Sequence, residues 1–135
     1  MAFSLVGSQT MPRSIDFLLS DNTFSNNSNT NFTVRVYNNA SSLLNATVRD
    51  NNFLNNGVES EFAMSNNGSN AAIRLLLEDN IAGNGLGTYE LVEAFGQFTL
   101  EESGPTLGGS RNQGTVTNPG GGITNDEGDI PLPTF

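Results

Sequence analysis

Three aspartates combine residue type with regular spacing in a way that suits chemistry. Asp21, Asp50 and Asp79 recur at steps of 29 residues, each is followed by an asparagine (Asn22, Asn51, Asn80), and the chain holds no other Asp-Asn pair. Carboxylates and amide carbonyls are oxygen ligands of the kind Ca²⁺ takes, so a column of them is a candidate calcium site. The competing role is structural, with each Asp capping a turn by accepting backbone N–H bonds. The Gly-Gly-x-Gly-x-Asp pattern of calcium-binding β-rolls is missing, which favours the structural role. No cofactor is expected, and Ca²⁺ at Asp21, Asp50 and Asp79 is the one exception weighed.

Other chemistry has little to work with. Five arginines are the only basic side chains, with no Lys, His or Cys, and the net charge is −9. Such a chain lacks the basic face that nucleic acid or an anionic membrane surface requires. Thiolate metal sites and disulfides are absent for want of cysteine. No stretch approaches the roughly 18 apolar residues of a membrane span, and Met1–Gly7 does not read as a signal peptide. A general acid or base needs hydrogen-bond reach to its substrate, and no cluster of acids with a basic partner is legible. Asp16, Asn45 and Arg74 fall at one repeat position, which separates Asp16 from Arg74 by two repeats. Arg35, Tyr37, Leu18 and Leu76 form a candidate ligand face. The expectation is a protein that is not an enzyme.

The elements that position these residues follow from the same register. Two, four and six places before each Asp stand Leu19, Phe17 and Ile15, then Val48, Ala46 and Leu44, then Leu77, Leu75 and Ile73, all apolar. The intervening residues are mostly polar, and alternation at period two marks a strand with one buried face. Phe24, Phe53 and Ala82 follow each Asp by three and point inward from a second short strand. Turn-rich runs at 26–29, 55–57 and 83–85 lead to a third strand containing Phe32–Tyr37, Glu61–Met64 or Tyr89–Val92, its register drifting by about one residue between repeats. Ala71–Leu77 has helical propensity, but its counterpart Asn45–Val48 does not, and strand is expected in all three repeats.

One period before Phe32-Thr33-Val34 lies Phe3-Ser4-Leu5, so the chain is expected to begin within a repeat, as a piece of a longer protein would. Gln97–Glu101 reads as the last strand and Gly114–Thr117 as a further one, with the repeat ending where the Asp-Asn signature ends. Residues 1–102 are expected to form coils and 103–135 a Gly/Pro/Asn-rich cap or mobile tail, its apolar end at 130–135 docking on the core.

Repeats of this length with several short strands imply an all-β parallel solenoid of about four coils, equivalent strands stacking about 4.8 Å apart. Asn22, Asn51 and Asn80 would then form a hydrogen-bonded ladder at one corner. Runs such as Val48–Gly57 resemble coils of right-handed parallel β-helix proteins, the pectate-lyase-like superfamily. Leu77–Asn80, Gly83–Gly85, Tyr89–Leu91 and Gln113–Thr117 resemble the closing coils of large bacterial surface proteins. The resemblance implies right-handedness, an extracellular or cell-surface location, and a non-catalytic structural or adhesive segment. It implies as the alternative a module that binds or degrades polysaccharide, whose enzymes use carboxylates with Ca²⁺ and a basic residue, or acid pairs. The partners to expect are a glycan or surface protein, and a second copy at the open N-terminal coil, with no nucleic acid and no membrane insertion.

Overall fold

The computed structural model describes residues 2–6, 13–25, 32–37, 42–54, 61–101 and 111–126. They form an all-β structure of three sheets, each parallel throughout. The first sheet orders β1 (Ala2–Val6), β4 (Phe32–Tyr37), β7 (Phe62–Asn66), β10 (Thr88–Glu93) and β12 (Thr115–Thr117). The second orders β2 (Arg13–Ser20), β5 (Ser42–Arg49), β8 (Ala71–Glu78), β11 (Gln97–Glu101) and β13 (Thr124–Asp126). The third orders β3 (Thr23–Ser25), β6 (Asn52–Leu54) and β9 (Ile81–Ala82), and Gln113 bridges to Ile81 beyond them. The chain therefore visits the first, second and third sheets in turn, then returns to the first, and each such passage is here called a circuit.

The second sheet keeps the sequence period. Ile15 pairs with Leu44 and Leu44 with Ile73, Phe17 with Ala46 and Ala46 with Leu75, Leu19 with Val48 and Val48 with Leu77. β11 extends two of these columns, Phe98 opposite Ile73 and Leu100 opposite Leu75. The first sheet departs from it: Phe3 lies opposite Val34 and not Phe32, and Phe62 opposite Tyr89. The difference is absorbed in turns, which tolerate changes of length that strands do not. Strand pairing also continues past residue 102, because β12 joins β10 and β13 joins β11. The turns at 26–29 and 55–57 and the end at 130–135 lie outside the described residues.

Alternation fills the interior. Leu44, Ala46, Val48, Ile73, Leu75, Leu77, Phe98 and Leu100 are buried, with Met64, Phe62, Leu91 and Tyr89 meeting them from the first sheet. Phe24 stacks on Phe53 with ring centres 5.3 Å apart and planes 9° off parallel, and Phe53 meets Phe62 at 5.6 Å and Tyr89 edge-on at 6.3 Å. Ile15, Phe17, Leu19 and Phe24 in the first circuit pack on this core while only half-buried.

The outward face is less open than alternation implies. Thr47 is buried, and Leu76 is 5% exposed against 39% for Leu18 in the same column, so Leu76 is not available as part of a ligand face. Ala71–Glu78 is strand and not helix. Phe53 has 0% exposure where rings of the third and first sheets meet. Phe53→Ala is expected to lower stability by about 3–5 kcal/mol, read as a drop in the urea midpoint at unchanged m-value.

Candidate functional site

The Asp-Asn corner joins the second sheet to the third. Asp21, Asp50 and Asp79 hold φ of 59°, 55° and 54°, the left-handed region that reverses the chain direction sharply. A Cβ costs roughly 1–2 kcal/mol there, and Asp and Asn are, after glycine, the residues that enter it most readily. Each Asp backbone N–H points at the next circuit: Asp21 N donates to Arg49 O at 3.4 Å and Asp50 N to Glu78 O at 3.3 Å. The three carboxylates are exposed. Among the described residues they accept no backbone N–H, so the capping role expected from the sequence is replaced by a conformational one. Asp50 carboxylate lies 3.9 Å from Arg49 Nε. Among the described residues no group of three or more acids is placed to hold a metal ion.

Beside each Asp, the asparagine turns inward. Asn51 and Asn80 are buried. Asn51 donates from its backbone N (3.1 Å) and its Nδ2 (3.0 Å) to Asn80 Oδ1, and Asn22 makes the same two bonds to Asn51 Oδ1 at 3.1 and 3.2 Å. Nδ2 of Asn51 also reaches Leu19 O at 2.9 Å and Arg49 O at 2.7 Å, and Asn80 repeats this with Val48 O and Glu78 O, both at 2.8 Å. An amide suits this corner because it is donor and acceptor at once. A carboxylate would bring no donor and a hydroxyl would span less distance.

A fourth rung was not legible in the sequence. Asn80 donates from its N (3.1 Å) and Nδ2 (2.9 Å) to Asn112 Oδ1, and Asn112 Nδ2 reaches Leu77 O at 2.8 Å. The step is 32 residues, and no Asp precedes Asn112. Asp79 N bonds to Arg111 O, the place that Arg49 O and Glu78 O fill in earlier circuits, so this corner omits the left-handed residue. Where no positive φ is required, no Asp stands. The repeat thus continues past the last Asp-Asn pair, and only its signature stops.

That shortening brings Arg111 above Glu78. Its guanidinium lies 3.4 Å from Glu78 and 3.6 Å from Glu101, an ion-pair cluster at the partly exposed rim of the second sheet. Sequence reasoning found no acids grouped with a basic partner because Glu78, Glu101 and Arg111 meet only through stacking. Asp16, Asn45 and Arg74 do share one column, with Asn45 Nδ2 donating to Asp16 Oδ1 at 3.0 Å and Arg74 exposed beyond it. Arg35 and Tyr37 lie on β4.

A third buried asparagine, Asn66, ties two turns together. Its Nδ2 donates to Ala71 O (3.0 Å) and Gln97 O (2.8 Å), its Oδ1 accepts from Gly68 N (3.1 Å), and its carbonyl accepts from Ala94 and Phe95. Gly96, at φ 76°, closes on this knot: a Cβ there would collide with Ala71 O and Gly68 O. An open, mostly polar cleft of about 400 Å³ lies alongside, lined by Ser69, Asn70, Ala72 and Gln97.

Among the described residues, Tyr89 is the buried titratable group with a perturbed equilibrium. Its hydroxyl donates to Gln113 O at 3.1 Å, and burial, with the Glu61 carboxylate adding to it, pushes the phenol well above its ordinary value. Glu61 is itself buried, packed so closely under Gly87 that a Cβ there would lie 2.6 Å from Glu61 Cγ.

No protein-family model, no curated protein and no solved structure matches the chain. What the described residues define is an all-β class with parallel sheets and an asparagine-bonded corner.

Two predictions follow from this geometry. Asn51→Ala orphans buried carbonyls and is expected to cost about 2–4 kcal/mol, whereas Asp50→Gly, which keeps the left-handed turn, is expected to be neutral or stabilising and Asp50→Val to cost about 1–2 kcal/mol. Urea titrations of the three variants check the order. For Tyr89, the folded pKa is raised, so its contribution is intact below the unfolded value of about 10 and is lost as pH rises beyond it, at about 1.4 kcal/mol per pH unit. Tyr89→Phe is expected to remove that part of the alkaline loss, measured by denaturation between about pH 9 and 12.

Proposed function

We propose that the circuits are the coils of a right-handed parallel β-helix, and that this helix is a non-catalytic structural or adhesive segment of a larger exported or cell-surface protein. The observation that carries the reading is the Asn22–Asn51–Asn80–Asn112 ladder. The residues that recur with the period are spent on hydrogen bonds inside the fold, and the Asp beside each of the first three is spent on its backbone conformation. Further support comes from the fixed visiting order of three parallel sheets, the arrangement expected of coils. Right-handed crossovers are the general rule for parallel strands. A net charge of −9 suits a soluble, solvated exterior and disfavours polyanionic partners. The kinship to the pectate-lyase-like superfamily belongs to the same proposal.

A second reading, a module that binds or degrades polysaccharide, draws on the Glu78–Arg111–Glu101 cluster, which puts a basic group between two carboxylates. Here Arg111 would meet a sugar acid and Ca²⁺ would be taken by carboxylates. The two readings separate in one experiment. Incubated with acidic polysaccharides and Ca²⁺, the chain is expected to release no new sugar ends while circular dichroism stays dominated by β-structure. Release or tight binding that disappears in Arg111→Ala would replace the first reading with the second.

A further inference from the structure

We propose that Asn84 is a site of spontaneous covalent modification, its side-chain amide lost through a succinimide that the backbone nitrogen of Gly85 closes and water opens. The reaction needs no partner beyond solvent. The Gly85 nitrogen attacks Asn84 Cγ, an N–Cγ bond forms, and the Cγ–Nδ2 bond breaks as ammonia leaves with the proton that the attacking nitrogen carried. Water then adds to one of the two ring carbonyls. Opening at the backbone carbonyl gives isoaspartate, with the chain running through the former side chain, and opening at Cγ gives aspartate. Either way a neutral amide becomes a carboxylate.

A glycine after an asparagine leaves the attacking nitrogen with no Cβ beside it, so Asn-Gly pairs are where this ring closes most readily. The chain holds such pairs at 56–57, 67–68 and 84–85; the first lies outside the described residues, and the other two sit in opposite surroundings. Asn84 is exposed in the Gly83–Gly85 turn between β9 and β10, and among the described residues no hydrogen bond holds its side chain. Leu86 beside it is 92% exposed, and a Cβ at Gly85 would meet only the Gln113 side chain, at 3.7 Å. Ring closure requires rotation about the Asn84 Cα–C bond from its ψ of 33°. Glycines on both sides, at φ 52° and 86°, are the neighbours that resist such a rotation least.

Asn67-Gly68 is the reverse case. Asn67 Nδ2 donates to Ser65 Oγ at 3.1 Å, and the nitrogen that would attack, Gly68 N, donates to Asn66 Oδ1 at 3.1 Å. Gly68 is buried, its carbonyl accepts from Ala71 N at 3.1 Å, and Gly96 closes on that carbonyl. One turn presents the dipeptide and the other holds it fast. Conversion at Asn84 sets a second carboxylate on the turn that covers Glu61, whose Oε1 lies 3.2 Å from where a Gly83 Cβ would stand. Isoaspartate also adds one backbone atom there, so the passage from the third sheet to the first is the part of the fold that changes as the protein ages.

Trypsin separates the two sites for measurement, because cleavage at Arg74 divides peptide 50–74, which holds Asn67, from peptide 75–111, which holds Asn84. After the folded chain is warmed at neutral pH, mass spectrometry is expected to find 75–111 heavier by the difference between an amide and a carboxyl group. Fragmentation is expected to place the change at residue 84 with isoaspartate among the products, while Asn67 stays intact. In urea, where neither turn exists, the two asparagines are expected to convert at similar rates. Asn84→Gly, which keeps the left-handed turn, is expected to leave the mass of 75–111 unchanged. The proposal is overturned if Asn84 stays intact in the folded chain, if Asn67 converts as fast as Asn84 there, or if aspartate alone forms, the product of direct hydrolysis without a ring.

Discussion

Parallel, in-register stacking leaves a buried polar group at a corner with neighbours in only two directions, the circuit before and the circuit after. Every peptide group turned inward there must be satisfied along the stack, because leaving it unmade costs far more than a formed bond returns. Asparagine meets the constraint with one side chain. Its Nδ2 closes carbonyls of its own circuit and the one before, and its Oδ1 receives two donors from the preceding rung. Because both donors of a rung point the same way, the ladder acquires a polarity that no single circuit has. The apolar columns have no such direction, since dispersion and burial are indifferent to which neighbour supplies them.

The same constraint separates repeated from unrepeated residues. What recurs at the corner serves the fold: Asp for a left-handed φ, Asn for hydrogen bonds, Phe24 and Phe53 for a stacked aromatic pair. What departs from the repeat stands where the chemistry differs. Arg111 enters where the corner drops its left-handed residue, and there it meets Glu78 and Glu101. Glu61 packs against the Gly83–Gly87 turn, close enough to the buried Tyr89 for its carboxylate to add to the rise of the phenol's pKa. In a repetitive architecture, side chains outside the period are the ones free to specialise.

Much of this was readable in advance, and the reason is periodicity. Alternation two, four and six places before each Asp picked out Ile15, Phe17, Leu19 and their counterparts, which pair in register in the second sheet. Register elsewhere was harder to read. Phe3 pairs with Val34 because the first sheet sits between turns of unequal length, and turn length leaves no periodic trace. Asn112 was missed because its rung is 32 residues on and has lost its Asp. Asn66 was missed because its five hydrogen bonds go to residues from two different turns, and nothing local distinguishes it from the other asparagines.

The sequence by itself therefore determined the all-β class, the period, the inward columns and the position of the corner, since these depend on spacing along one chain. Only the tertiary structure decided what the corner residues do. Whether Asp caps or bends, how many rungs the ladder has, which way it points and that Arg111 lands between two glutamates all depend on which atoms lie above and below. Most of those neighbours come from residues 28 to 35 places away, and insertions in the intervening turns move them without disturbing the alternation that makes the strands recognisable.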